Sequence, residues 1–202
     1  MKRCPWCGQN DELYIKYHDE EWGVPVHDDI KHFEFLVLEI NQAGLSWKTV
    51  LKKRDNFKKA YDNFDPLRVA MYDGQKIIQL LNDAGIIRNR RKIEASVNNA
   101  KRFLEVQKEF GNFDSYIWRF VDNKPVVNSW KHDLDIPSST ILSDTISNDL
   151  KRRGFIFIGS TIIYAHLQAT GIINDHIIDC FRYKQLVSSE HHSEASAEMN
   201  AI

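Results

Sequence analysis

The sequence has only three cysteines, five prolines and nine glycines in 202 residues. A small, odd cysteine count excludes the disulfide framework that holds many secreted domains, so Cys4, Cys7 and Cys180 call for an explanation by packing or by metal. Long apolar runs are missing too, and nothing approaches the roughly 20 consecutive apolar residues that cross a bilayer. The N-terminus, Met-Lys-Arg-Cys-Pro-Trp, lacks the apolar stretch of a secretory signal. These absences lead us to expect a cytoplasmic protein with no membrane contact. Strand alternation is absent apart from Phe155 to Ile158, which is too short to build a sheet. No internal repeat is visible.

Net charge is also nearly absent. Lysine and arginine number 27 against 28 aspartates and glutamates, giving −1, which on its face argues against a polyanionic partner. The balance is uneven along the chain, however. Residues 185–202 carry three glutamates and no lysine or arginine, and without them the remainder is at +2. The positive charge is clumped in Lys52-Lys53-Arg54, in Arg88-Asn89-Arg90-Arg91-Lys92 and in Lys151-Arg152-Arg153. Such clumps suit solvated helix faces and helix ends, and they also suit a phosphate backbone.

Hydrophobic residues make up 43% of the chain, enough for one sizeable core shared by two lobes. Helical periodicity dominates. Phe33, Val37 and Ile40 repeat behind Asp28 as a cap, Gly44 breaks the pattern, and Trp47, Val50, Leu51, Phe57, Tyr61 and Phe64 resume it. Asp65-Pro66 reads as a new helix start. Ile77 to Leu81 form a helix ended by Gly85, and a long helix through Ile93, Val97, Ala100 and Leu104 runs to Gly111. A short helix holds Tyr116, Ile117 and Phe120. Residues 122–140 read as one irregular connection, followed by helices from Ser143 to Gly154 and from Thr161 to Thr170. We therefore expect an all-α fold of eight or nine helices, with one domain over 1–186 and a disordered tail over 187–202.

Two segments carry metal chemistry. In "NDHIIDC", residues 174–180, the spacing puts His176 and Cys180 on one face of a helical turn. "CPWCGQNDELYIKYH" supplies Cys4, Cys7 and His18. Five candidates compete for the four places of a structural zinc, and either Cys4 with His18 or a Cys4-x2-Cys7 knuckle completes the set. A site of this kind would tie the first ordered segment to the last. His191 and His192 lie in the polar tail and are not expected to be ligands.

Two others point to nucleic acid. "LLNDAGIIRNRRKIEASVNNA", residues 80–100, places a tight turn bearing Gly85 between helices and follows it with Arg88, Arg90, Arg91 and Lys92. The second helix aims its unpaired N–H groups outward, which resembles a helix–hairpin–helix element; an ordinary αα-corner would use the same residues. Trp6, Tyr14, Tyr17, Trp22 and Trp47 crowd the first 50 residues together with Glu39, a carboxylate among Leu36, Val37, Leu38 and Ile40. A base taken out of the DNA stack needs aromatic faces to replace its stacking and a few polar groups to read its edge.

As a set, these residues resemble the 3-methyladenine DNA glycosylase I family. The resemblance runs from Arg3-Cys4 to about Cys180 through "YHDEEWGVP", "QAGLSWKTVLKKR", "DAGIIRNRRKI", "KRRGFIFIGSTIIYA" and "NDHIIDC". It implies a helix–hairpin–helix glycosylase fold and hydrolytic release of 3-methyladenine from alkylated double-stranded DNA, by a monomer. It implies zinc on Cys4, His18, His176 and Cys180, with Cys7 outside the pattern. Glu39 and Tyr17 match the pair that hydrogen-bonds the base, Trp47 the stacking aromatic, and Tyr14 and Trp22 the pocket walls. Leu45, after Gly44, matches the loop that enters the duplex. Related hairpin glycosylases use an aspartate some 20 residues past the hairpin; here 104–110 offers Glu105 and Glu109, and Asp114 is the nearest aspartate. A DNA-binding module without activity, and a zinc hydrolase with an open coordination position, are the competing readings.

Overall fold

The computed structural model describes residues 1–188. Of the expected tail, residues 187 and 188 are helical and the remainder lies outside the described residues. The chain forms two compact units: one holds Met1–Pro25, Lys124–Pro137 and the chain from Gln168 onward, the other Val26–Asn123 and Ser138–Leu167. No helix among the described residues is long and apolar enough to cross a membrane.

The larger unit is helical throughout. Its helices are α2 (Asp29–Gln42), α3 (Trp47–Leu51), α4 (Arg54–Ala60), α5 (Pro66–Ala70), α6 (Gly74–Asn82), α7 (Arg90–Phe110), α8 (Phe113–Trp118), α9 (Ile141–Arg152) and most of α10 (Ser160–Ala169). Their starts follow the caps in the sequence. Asp28 accepts from the Lys31 amide at 2.7 Å, Asp65 from Leu67 at 2.9 Å just ahead of Pro66, and Asn89 from Lys92 at 3.2 Å. Thr140 and Ser143 cap each other's amides, so α9 opens two residues before the expected Ser143. The long α7 packs against α2, α5, α6 and α8. Phe103 on α7 stands between Phe33 of α2, at 5.3 Å between ring centres, and Phe113 of α8, at 4.3 Å.

The smaller unit contains α1 (Glu12–Glu20), a helix over 181–188 (α11), and two short strands, β1 (Val126–Val127) and β2 (Ile173–Asn174), paired in parallel. Gly171 has φ +66°, and a Cβ there would sit 2.2 Å from the Val24 backbone carbon, so only glycine permits this approach.

Three expectations need correction. The described residues hold eleven α-helices rather than eight or nine, because the apolar run over 47–64 is cut into α3, α4 and a left-handed turn at Asp62, Asn63 and Phe64. Phe155 to Ile158, read as too short to build a sheet, forms no strand, and β1 falls instead inside the 122–140 segment expected to be irregular. Asn99 on α7 takes both backbone groups of Ile156, at 2.9 and 2.8 Å, and Phe157 has φ +56°. His176 and Cys180 do not share a helical turn either. A helix would join the Ile178 amide to the Asn174 carbonyl, but Ile178 donates to Trp130 at 2.9 Å and Asn174 accepts from Asn128 at 3.1 Å. Pairing with the 124–137 segment overrides the local preference.

Candidate functional site

The smaller unit gathers Cys4, His18, His176 and Cys180, all buried, with their donor atoms within 4.8 Å of one another. Cys4 precedes a short 3-10 turn over Pro5–Cys7, His18 lies in the last turn of α1, His176 follows β2, and Cys180 precedes α11. His176 Nδ1 lies 3.5 Å from both sulfurs, and His18 Nε2 lies 3.4 Å from Cys180 Sγ. A tetrahedral ion with metal–sulfur bonds of about 2.3 Å and metal–nitrogen bonds of about 2.0–2.1 Å has sulfur–nitrogen edges of about 3.5 Å. The donor set therefore fits one such ion.

The outer groups fix the imidazoles for that task. His176 Nε2 donates to the Trp22 carbonyl at 2.9 Å, leaving the Nδ1 lone pair facing the sulfurs. His18 Nδ1 donates to Asp19 at 2.7 Å, and Arg3 holds Asp19 with three contacts of 2.8–3.0 Å. Burial alone would push the Asp19 carboxylate up, but Arg3 and His18 hold it below its ordinary range. Neither Asp19 nor Arg3 was singled out in the sequence, although a carboxylate directly after His18 was the available signal. The hydrogen bond with Cys180, then burial, drives the Cys4 thiol well up, while the bond from Cys4 and the two histidines draw Cys180 down to about 2 despite burial. Cys7 stands outside the set and donates to the Cys4 carbonyl at 3.1 Å, so the Cys4-x2-Cys7 knuckle is not assembled.

Four of the five aromatic candidates assemble around these donors. The Trp6 ring lies 5.7 Å from Tyr14, 6.3 Å from Tyr17, 5.0 Å from Trp22 and 5.4 Å from His18, and Trp22 lies 4.6 Å from His176. The four candidate donors and the aromatic faces thus form one packed cluster.

The larger unit carries Glu39, Trp47, Gly44 and Leu45. Glu39 sits on α2 with 3% of its surface exposed, and its carboxylate makes no hydrogen bond or ion pair among the described residues. Burial by itself pushes its pKa up to about 8. Such a group is costly to the fold and points to a ligand. Beyond α2, Gln42 to Leu45 form a type II turn. Ala43 has φ −46° and ψ 117°, Gly44 has φ +78°, and the Leu45 amide returns to the Gln42 carbonyl at 2.7 Å. The third position of this turn requires positive φ, which accounts for Gly44. Leu45 is presented to solvent at 41% exposure, and Ser46 caps α3, which opens with Trp47 and packs against α2.

The basic hairpin is also built in this unit. Asp83 accepts from the Gly85 amide at 2.7 Å, Ile86 is buried, and Asn89 caps α7. Arg88, Arg90 and Arg91 are exposed, as a phosphate grip requires. Lys92 is not, because its ammonium turns inward.

A model of the methyladenine glycosylase family matches residues 6–183. The chain belongs to that family. It is 47% identical over 183 residues to DNA-3-methyladenine glycosylase 1 of Escherichia coli, covering 91% of this chain and 97% of the relative. The DNA-3-methyladenine glycosylase of Haemophilus influenzae is 46% identical, over 88% of this chain and 96% of the relative. Among solved structures, 3-methyladenine DNA glycosylase I from Staphylococcus aureus superposes with a TM-score of 0.86 at 35% identity, over 90% of this chain and 96% of that one. That structure concerns recognition of 3-methyladenine. A match that spans both units makes the two side-chain clusters parts of one family member.

Proposed function

We propose that this protein excises 3-methyladenine from alkylated DNA as a cytoplasmic monomer, using Glu39 to recognise the lesion. It is a DNA-3-methyladenine glycosylase: it hydrolyses the N-glycosidic bond and leaves an abasic site. The relatives named above carry the activity, and one observation carries the role of Glu39, namely a buried carboxylate with no hydrogen-bond or ion-pair partner among the described residues.

Methylation at N3 makes the adenine a cation, so the glycosidic bond is weak before the protein touches it. When the bond breaks, its electron pair goes to the base, which leaves neutral. Water adds to the sugar carbon and gives a proton to solvent. Little acid or base assistance is needed, and the carboxylates past the hairpin are engaged elsewhere. Glu105 pairs with Arg102 at 2.8 Å, Glu109 with Arg153 at 2.7 Å, and Asp114 with His27 at 3.1 Å. Extrusion of the base, its desolvation and a selective pocket supply the rate.

Glu39 gives the selectivity. In the free protein it is mostly protonated at neutral pH, since its pKa is near 8. A cationic base supplies the countercharge that ionises it, whereas neutral adenine does not. By the family resemblance, Trp47 has the role of the stacking aromatic, Tyr17 that of a residue that hydrogen-bonds the base, and Tyr14 and Trp22, with Trp6 beside them, that of aromatic walls. The helix–hairpin–helix over α6 and α7 grips phosphates through Arg88, Arg90, Arg91 and the turn at Gly85. Gly44 and Leu45 enter the duplex where the base has left.

Zinc on Cys4, His18, His176 and Cys180 completes the protein. It supplies no chemistry; it joins the chain's first and last segments under the aromatic wall. Four protein donors leave a hydrolytic metal no open position, which disfavours the zinc-hydrolase reading. The test is incubation with methylated duplex DNA and chromatography of the released bases. Free 3-methyladenine is expected, and its absence overturns the reading.

A further inference from the structure

Lys92 lies in the first turn of α7 and is 7% exposed, two residues after Arg90. Its Nζ donates to the Asn41 carbonyl at 2.9 Å and to the Ala43 carbonyl at 2.6 Å. These belong to the final turn of α2, where the carbonyls of a helix end lack intrahelical donors, and to the type II turn that presents Leu45. A cation also suits the negative end of the helix dipole. One ammonium therefore spans the hairpin's second helix and the end of the helix that bears Glu39. Burial lowers the Lys92 pKa, so the fold keeps this amine in an unfavourable setting.

We propose that Lys92 is a positioning residue for excision: it locks the Ala43–Leu45 turn to the phosphate-gripping hairpin, so that the grip and the intruding leucine move as one body. The inference rests on the glycosylase reading above and deepens it. Without the lock, α2 keeps its core packing and Glu39 keeps its place, but Leu45 loses its fixed height above the hairpin. Misplacement by about 1 Å is enough to cost on the order of a hundred-fold in rate. The loss should appear on DNA and not on the free base.

Single-turnover excision from methylated duplex, affinity for free 3-methyladenine and thermal melting are to be measured for wild type, Lys92→Met, Lys92→Arg, Leu45→Ala and the Lys92→Met/Leu45→Ala double variant. Lys92→Met should lower the excision rate at least ten-fold and leave base affinity within two-fold, while Lys92→Arg restores the rate to within five-fold of wild type. If Lys92 acts through Leu45, the double variant is no slower than the worse single one. Additive losses, an unaffected rate in Lys92→Met, or equal losses on DNA and free base would overturn the proposal. Should Lys92→Met lose its cooperative melting, Lys92→Arg takes its place in the cycle, with a two- to five-fold loss that vanishes in the Leu45→Ala background, and additivity again overturns it. Wild-type protein that releases no 3-methyladenine is a different failure, of the glycosylase reading itself.

Discussion

Replacing Glu39 by glutamine should make the protein less dependent on pH for its stability, and more so as the medium turns alkaline. A carboxyl whose pKa is higher in the folded state than in the unfolded one stabilises the fold fully only below the unfolded value. That contribution is lost as pH rises through the folded one. For Glu39 the window runs from its ordinary 4.5 to about 8. At 1.36 kcal/mol per pK unit, its ionisation costs the fold under about 1 kcal/mol at pH 5 and nearly 5 kcal/mol at pH 9. Glutamine stays neutral; its amide, left without a partner, costs about 1–3 kcal/mol at every pH. The stability of Glu39→Gln relative to wild type should therefore climb by about 4 kcal/mol between pH 5 and pH 9. Urea unfolding at pH 5, 7 and 9 measures it, because other titrating groups contribute equally to both proteins and cancel. A difference that stays constant within about 1 kcal/mol would show that Glu39 is not buried alone in the free protein.

The metal proposal makes a selective demand on the cysteines: Cys4→Ser or Cys180→Ser should lose bound zinc and lower the melting temperature, while Cys7→Ala keeps the metal; elemental analysis and thermal melts decide. Asp19→Asn should weaken zinc about 10–100-fold, through the orientation of His18, in a competition with a coloured chelator. Arg90→Ala and Arg91→Ala should each reduce the salt dependence of duplex binding by about one unit of slope, and an unchanged slope would remove that arginine from the phosphate grip.

Much of the fold was legible because its signals are local. Asp28 and Asp65 sit one residue before α2 and α5, and a side chain that caps its own helix needs no knowledge of distant partners. The four candidate metal donors could be read as a group because few other residues had their chemistry, although choosing between Cys4 with His18 and the Cys4–Cys7 knuckle took the resemblance. What failed was decided at long range. Asn174 and Ile178 looked helical until Asn128 and Trp130 claimed their backbone groups, and Ile156 looked like strand until Asn99 did the same. Lys92 was misread for a related reason. Inside a basic run a lysine reads as one more surface charge, and only the folded position of the α2 end shows two carbonyls awaiting it.

Single-turnover excision of 3-methyladenine by Glu39→Gln decides whether one buried carboxylate selects the cationic base. A slower rate is expected together with weaker binding of the free base, in a protein that still folds and still binds undamaged duplex. Excision and base affinity both at wild-type values would contradict it.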